Sequence, residues 1–267
     1  MHQDRGSIRV GVGGWTFEPW RANFYPAGLP HHRELEYASR HLTAIEINGT
    51  YYSTQKPETF AKWRAETPEG FVFAVKASRF VTNRRVLGGG GPAIEHFVGS
   101  GIARLGPKLG PLLWQFMPTK RFEPEDFAAF LALLPQEVEG VPLRHVMEVR
   151  HASFMASEYL ALARRFRVAT VFSDTDEYPS FADITGDFVY ARLQRSQANI
   201  ATGYAPSALD AVADCARVWA AGSEPLVAPR VEGAQANAAA RDVFMFFISG
   251  AKERAPAAAQ ALIERLR

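Results

Sequence analysis

The 267 residues carry 30 Lys and Arg against 28 Asp and Glu, a formal net charge of +2, and 47% of them are hydrophobic. That apolar share suffices for a sizeable core, and the charge balance argues against a surface built to coat nucleic acid or another polyanion. A single cysteine, Cys215, excludes an intramolecular disulfide and with it a disulfide-built secreted scaffold.

The opening MHQDRGSIRV mixes charges and lacks the apolar stretch of a signal peptide. No run near the roughly 18 apolar residues of a membrane span occurs either, so the expectation is a cytoplasmic protein with no membrane contact. From there the chain alternates short β-branched or aromatic runs with longer amphipathic segments. Ile8 to Val12 reads as the first strand and Arg33 to His41 as the first helix. Ala44 to Asn48 is the second strand, followed by a helix over Pro57 to Glu66 that opens with Pro57-Glu58, a pair suited to a helix start. Phe71 to Ala77 is the third strand; beyond a Gly88 to Gly91 loop, helical spacing returns at Ile94 to Leu105.

Pro111 to Phe116 and Glu125 to Leu134 make the fourth pair, and His145 to Arg150 and Ser157 to Arg167 the fifth. Ala169 to Asp174 is a strand without a helix after it, because Thr175 to Asp187 is a loop rich in Asp, Pro, Ser and Gly. Phe188 to Gln194 with Leu209 to Ala221, then Val243 to Ser249 with Ala257 to Arg267, complete the set. Eight strands interleaved with helices fit a closed (β/α)8 TIM-type barrel better than an open doubly wound sheet. No linker or composition break divides residues 1 to 267, so a single barrel domain is expected, its helix between strands six and seven irregular or missing.

In such a barrel the chemistry gathers at the carboxyl ends of the strands. Those ends are polar here: Glu46 and Asn48, Lys76, Gln115, Glu148 with Arg150 and His151, Asp174, and Tyr190 with Arg192. Because side chains alternate along a strand, Glu46 and Asn48 share a face, as do Glu148 and Arg150, and Tyr190 and Arg192. Two readings compete. One is a purely structural plug in which Glu46, Glu148 and Asp174 pair with Lys76, Arg150 and Arg192, since isolated buried charges would cost several kcal/mol each. The other is a functional site, which such a concentration of ionisable strand ends commonly marks.

Aromatic residues crowd the same end. Tyr51 and Tyr52 are candidates for substrate contact, whereas Trp15, Trp20 and Phe24 fit either a stacking platform or a cap on the core. Arg79, Arg84 and Arg85 form the strongest basic cluster, fit for phosphate or carboxylate or simply a solvated loop. With His151 the one histidine at the mouth, zinc is disfavoured; Glu148 and Asp174, on strands about 4.8 Å apart, would suit Mg²⁺ or Mn²⁺ if a metal binds. Dinucleotide, phosphate-loop, G-x-S-x-G and H-E-x-x-H signatures are all absent.

The stretches GVGGWTFEPWRANFYPAGLP, AIEINGTYYSTQKPETFAKWRAETPEGFVFAVKASRFVTNRR, LGPLLWQF and EVRHASF together closely resemble the YecE-like family, also called domain of unknown function 72. The resemblance spans nearly the whole chain and implies a TIM-type barrel without supplying an activity. It points to Gly14, Trp15, Trp20, Tyr25, Pro26 and Trp63 in addition to the strand-end set. Where relatives have His-Gly after strand seven this chain has Gln194-Arg195; where they have an Asn-rich turn after strand eight it has Ile248-Ser249-Gly250; and Phe154 replaces a Trp. The resemblance thereby implies an activity narrowed, altered or lost in the second half of the mouth.

The leading functional expectation is a hydrolase or lyase for a small polar or anionic substrate bearing sugar or phosphate groups. Glu148 and Glu46 would be acid and base, Lys76, Arg150 and Arg192 would stabilise negative charge, and His151 would shuttle a proton or orient Glu148. Asp174 would assist a metal, and Asn48, Tyr51, Tyr52, Trp15, Gln115 and Tyr190 would contact substrate. Alternatives are a metal-dependent phosphodiesterase clamping nucleic acid with Arg79, Arg84 and Arg85, a Schiff-base enzyme using Lys76, and a non-enzymatic barrel that binds a metabolite or partner.

Overall fold

Strand residues that alternate between two apolar environments dictate the architecture, because both faces of a parallel barrel strand are buried. In the computed structural model, which describes residues 5–225, 229–233 and 239–267, eight parallel strands close into a barrel. They are β1 (Ile8–Gly13), β2 (Ala44–Ile47), β3 (Val72–Lys76), β4 (Leu109–Gln115), β5 (His145–Glu148), β6 (Ala169–Ser173), β7 (Phe188–Leu193) and β8 (Asp242–Phe247). Each pairs with its neighbours in sequence, and β8 closes on β1 with Ile8 opposite Val243 and Val12 opposite Phe247.

One face of every strand points into the lumen, where Ala44, Ala74, Leu113, Val146, Val171, Phe188, Tyr190, Phe244 and Phe246 pack together. Small and large residues compensate there. A Cβ on Gly11 would stand 1.9 Å from the Ala44 carbonyl oxygen, so only glycine lets β1 and β2 approach this closely. The outward residues, among them Val10, Val12, Ile45, Phe73, Trp114 and Met147, belong to the larger core under the helices.

The helices are α1 (Glu34–His41), α2 (Pro57–Glu66), α3 (Arg79–Thr82), α4 (Gly91–Val98), α5 (Pro124–Ala132), α6 (Ser157–Arg165), α7 (Pro206–Ala220) and α8 (Ala255–Leu266). Proline at the first position of α2, α5 and α7 costs no hydrogen bond, since that amide has no partner within the helix. Buried Ala255, Ala258, Ala259 and Ala261 let α8 lie close against β1 and β8.

Three features depart from the sequence expectation. The helix expected over Ile94 to Leu105 is broken: α4 ends at Val98, Gly101 adopts φ +107°, and a 3-10 segment (Ile102–Lys108) leads into β4. Several strands stop one or two residues early, leaving Asn48, Arg150 and Asp174 on the loops just above the barrel. A small antiparallel ribbon, Glu137–Val138 with Val141–Pro142, precedes β5. As expected, no helix joins β6 to β7. Buried Phe181 and Ala182 cover the barrel in its place, and the Asp183 carboxylate ties the loop down by accepting from the Val231 and Glu232 amides at 2.9 Å.

Candidate functional site

Alternation along the strands sends Glu46, Lys76, Gln115, Glu148 and Arg192 inward at the carboxyl end of the lumen, directly above the apolar packing. Arg192 is the centre of the lower layer. Its guanidinium donates from Nε and Nη2 to Glu46 at 3.1 and 3.0 Å, and from Nη1 to both Glu148 oxygens at 2.8 Å. All three are buried, with 2%, 0% and 3% of their surfaces exposed for Arg192, Glu46 and Glu148. Tyr190 donates its hydroxyl to Glu46 at 2.7 Å, and burial together with the Glu46 charge holds that phenol well above its ordinary pKa.

Glu148 also accepts from Arg150 at 2.9 Å and from the Gln115 amide at 2.5 Å. Burial by itself would raise its pKa, but Arg192, Arg150 and the Gln115 hydrogen bond prevail and bring it down to about 2. A carboxylate so saturated is a fixed anion and does not serve as a general acid near neutral pH. The acid role expected for Glu148 therefore gives way to a structural one, and Glu46, whose oxygens accept from Tyr190 and Arg192, joins it in holding Arg192, as the paired-plug reading anticipates for this part of the set.

Lys76 and Asp174 stand outside that plug. The Lys76 ammonium, on a residue only 9% exposed, lies 4.3 Å from the centre of the Tyr51 ring. Among the described residues it has no hydrogen bond and no carboxylate within 4.0 Å. Burial, with the Arg192 charge adding to it, lowers its pKa to about 8 against the opposing pull of Glu46 and Glu148. Asp174 is committed elsewhere, its two oxygens accepting from the Gln194 amide at 2.6 Å and the Tyr204 hydroxyl at 2.8 Å, and burial raises its pKa.

Above the plug the mouth opens into a cavity of about 480 Å³, lined by Asn48, Tyr52, Lys76, Gln115, Arg150 and Arg192 from the expected set. Gly13 helps to open it, since a Cβ there would meet Asn48 at 3.0 Å and Ile248 at 3.2 Å. Tyr52 is 63% exposed at the rim. Tyr51 forms the wall behind Lys76, its hydroxyl 3.4 Å from the Asn83 side chain. The structure does not bring Trp15 or His151 into the mouth. Trp15 packs edge-on against Trp63 at 5.0 Å, while His151 uses Nδ1 to accept from the Ser153 amide at 3.1 Å, capping the turn after β5. Trp20 and Phe24 are buried core, the Trp20 indole donating to the Lys252 carbonyl at 2.8 Å.

A shared metal between Glu148 and Asp174 does not fit these side chains, because every carboxylate oxygen of both already accepts from protein donors. Among the described residues no group of three His, Cys, Asp or Glu side chains converges as a metal cage. Arg84 and Arg85 line a separate basin with Lys120 and Arg121, and Arg79 lies on α3 over the Tyr52 and Phe80 rings, so the basic cluster adjoins the mouth without entering it.

Sequence reasoning missed Lys252, Thr175, Glu177 and Tyr178, all on the mouth. Lys252 follows β8, and its amine stands 4.7 Å from the Phe17 ring with no ion pair among the described residues; burial lowers its pKa. Tyr178 comes from the helix-less loop after β6 and stacks under the Arg150 guanidinium at 4.4 Å. The signal for both was positional, as they sit on loops at the carboxyl end of the strands. Of the departures from the family pattern, Gln194, Ile248 and Ser249 line the mouth, Gln194 bonding Ser173 and Ser249 at 2.7 and 3.0 Å. Arg195 pairs with Asp176 beside the mouth, and Phe154 belongs to the aromatic core around Phe116, Phe127 and Tyr159 rather than to the mouth.

The sequence profile described as "Protein of unknown function DUF72" matches residues 9–267. The UPF0759 protein YecE of Escherichia coli strain K12 is 28% identical over 152 residues, 56% of this chain and 50% of that protein, so the match spans half the relative's length. A DUF72 family protein from Thermotoga maritima MSB8 has a similar fold, with a TM-score of 0.71 at 19% identity over 96% of this chain and 97% of that one. Another, from Enterococcus faecalis V583, gives a TM-score of 0.70 at 18% identity, covering 97% and 95% of the two chains. No helix among the described residues is long and apolar enough to cross a membrane. By a profile match covering almost its entire length, and with the barrel of that family's solved structures, the chain belongs to the DUF72 family.

Proposed function

We propose that the mouth is the active site of a lyase-type enzyme acting on a small anionic, oxygen-rich substrate, with Lys76 as the group that accepts and returns a proton. One observation carries this reading: Lys76 is a buried amine facing a cavity of about 480 Å³ while the carboxylates beside it are spent on arginines. A pKa near 8 keeps a useful fraction of that amine neutral close to neutral pH, as a general base requires. Arg150 and Lys252 add positive charge to the lining and favour a carboxylate or phosphate on the substrate. Arg192, fixed by four hydrogen bonds, contributes a preorganised positive field at the floor.

The test is a turnover screen over sugar phosphates and hydroxy acids, followed by Lys76→Met on any hit. The expected result is a fall in kcat of about 10²- to 10⁴-fold, the usual worth of a positioned acid–base group. In the native protein kcat/KM should climb with pH and level off above about 8, since Lys76 acts as a base only once its proton is lost. Unchanged kcat in Lys76→Met with the same pH profile would sink the assignment.

A second reading, metabolite binding without chemistry, draws on one fact: Glu46 and Glu148, the carboxylates at the floor, each accept from protein donors at both oxygens. Anion binding measured by calorimetry, with no turnover across the screen, favours it.

A further inference from the structure

We infer that Lys76 acts covalently: its amine condenses with an aldehyde or ketone whose carboxylate or phosphate is held by Arg150 and Lys252. The inference rests on the reading of the mouth as an anion-binding active site and gives its substrate a reactive group.

The argument begins with what each cation is free to do. Arg192 and Arg150 are tied to Glu148 at 2.8 and 2.9 Å, so they are fixed charges. Lys76 projects from the end of β3 toward the same carboxylates without reaching within 4.0 Å of either, and an aromatic ring is its near neighbour instead. A buried ammonium without a counterion is costly, and it is relieved either by an anion or by losing the proton. The charged groups acting on Lys76 are Glu46 and Glu148, which favour the ammonium, and Arg192 and Arg150, which oppose it alongside burial. Burial and the arginines outweigh the carboxylates and bring the pKa to about 8, so a share of the amine facing the cavity is neutral near neutral pH, and a neutral primary amine is a nucleophile toward carbonyl carbon.

The surroundings suit that role better than they suit hydrolysis. No carboxylate at the floor retains a free oxygen to activate water, because Glu46 and Glu148 each accept from protein donors at both oxygens. An imine needs no such carboxylate. The Lys76 nitrogen attacks the carbonyl carbon and a C–N bond forms; the carbonyl oxygen leaves as water, taking both amine protons, and the imine nitrogen then gains one proton to become a cationic iminium. That cation is an electron sink for the bonds at the adjacent carbon, and the Glu46 and Glu148 charges that act on Lys76 stabilise it. The anionic end of the substrate faces Arg150 and Lys252, the latter bringing an amine that no carboxylate of the described residues neutralises.

The experiment is reductive trapping on the full chain. The protein is incubated at pH 8 with pyruvate, dihydroxyacetone phosphate or uncharged acetone in the presence of sodium cyanoborohydride, and adducts are mapped by peptide mass spectrometry. The expected result is labelling of Lys76 at least about tenfold faster than exposed Lys56 and Lys62, since an amine of lower pKa has far more neutral form at that pH. An anionic probe should outpace acetone at Lys76, and Lys252→Met should erase that preference. Labelling of Lys76 no faster than of Lys56 by both anionic probes overturns the inference. If that happens while Lys76→Met still abolishes turnover of a screened substrate, the covalent step fails and the proton-transfer reading stands. If Lys76 is trapped selectively yet no substrate turns over, the amine chemistry holds and the lyase reading fails.

Discussion

The two ends of one barrel treat charge in opposite ways. At the amino end Asp242 accepts from the Ser7 amide and hydroxyl at 3.0 and 2.6 Å and from Arg144 at 2.9 Å, while the Arg144 guanidinium lies 4.8 Å from the Phe244 ring. Each group there has protein partners, sits part-exposed and closes the lumen. At the carboxyl end the Glu46–Arg192–Glu148 triad is completely buried, and above it Lys76 and Lys252 are left without counterions among the described residues. The lesson is a division of labour within the mouth itself. The triad builds a hydrogen-bonded floor, and the two amines above it lie against aromatic rings with no ion pair among the described residues.

The sharpest way to break this comparison is to remove the centre of the triad. Arg192→Leu leaves Glu46 buried with only the Tyr190 hydroxyl and Glu148 with Arg150 and Gln115, and a loss of about 3–5 kcal/mol in denaturant unfolding is expected. A loss under about 1 kcal/mol would mean that water reaches the floor and that the triad is no sealed unit.

The acid limb of stability tests the same floor. Glu148 titrates at about 2 in the folded chain and near 4.5 when unfolded, so its contribution, on the order of 3 kcal/mol, is complete above pH 4.5 and is lost as pH falls toward 2. His145 adds a separate slope. Buried, it accepts from the Trp114 indole at 3.0 Å, and burial lowers its pKa from 6.5 to about 4. Protons then bind the unfolded state preferentially, and stability falls between pH 6.5 and 4. Glu148→Gln should flatten the lower segment of the profile and leave the His145 segment intact; an unaltered lower segment would deny Glu148 its role.

At the other end the effect is smaller. Arg144→Leu removes a part-exposed pair and some ring contact, so about 1 kcal/mol or less is expected in the same assay. A cost matching that of Arg192→Leu would erase the contrast between the ends.

The barrel was legible in the chain because eight apolar runs interrupted by amphipathic segments leave few ways to bury both faces of every strand. The polar strand ends were legible too, since period-two alternation puts Glu46, Lys76, Glu148 and Arg192 on one face whatever the packing. The break after α4 was less so: helical spacing runs on through Ser100 and Gly101, and the turn rests on the left-handed φ of Gly101 and its close fit against Pro57, where a Cβ would stand 2.7 Å away. Lys252 escaped notice because it lies 176 positions after Lys76 in a loop with no periodicity.

By itself, then, the sequence determined the closed barrel, the end that carries the polar groups and the family, because these follow from patterns a few residues long repeated along the chain. Only the tertiary structure decided which charges pair. Pairing depends on distances between strands far apart in sequence, and those distances commit Arg192 to two carboxylates, give Asp174 to Tyr204, and leave Lys76 without a partner among the described residues.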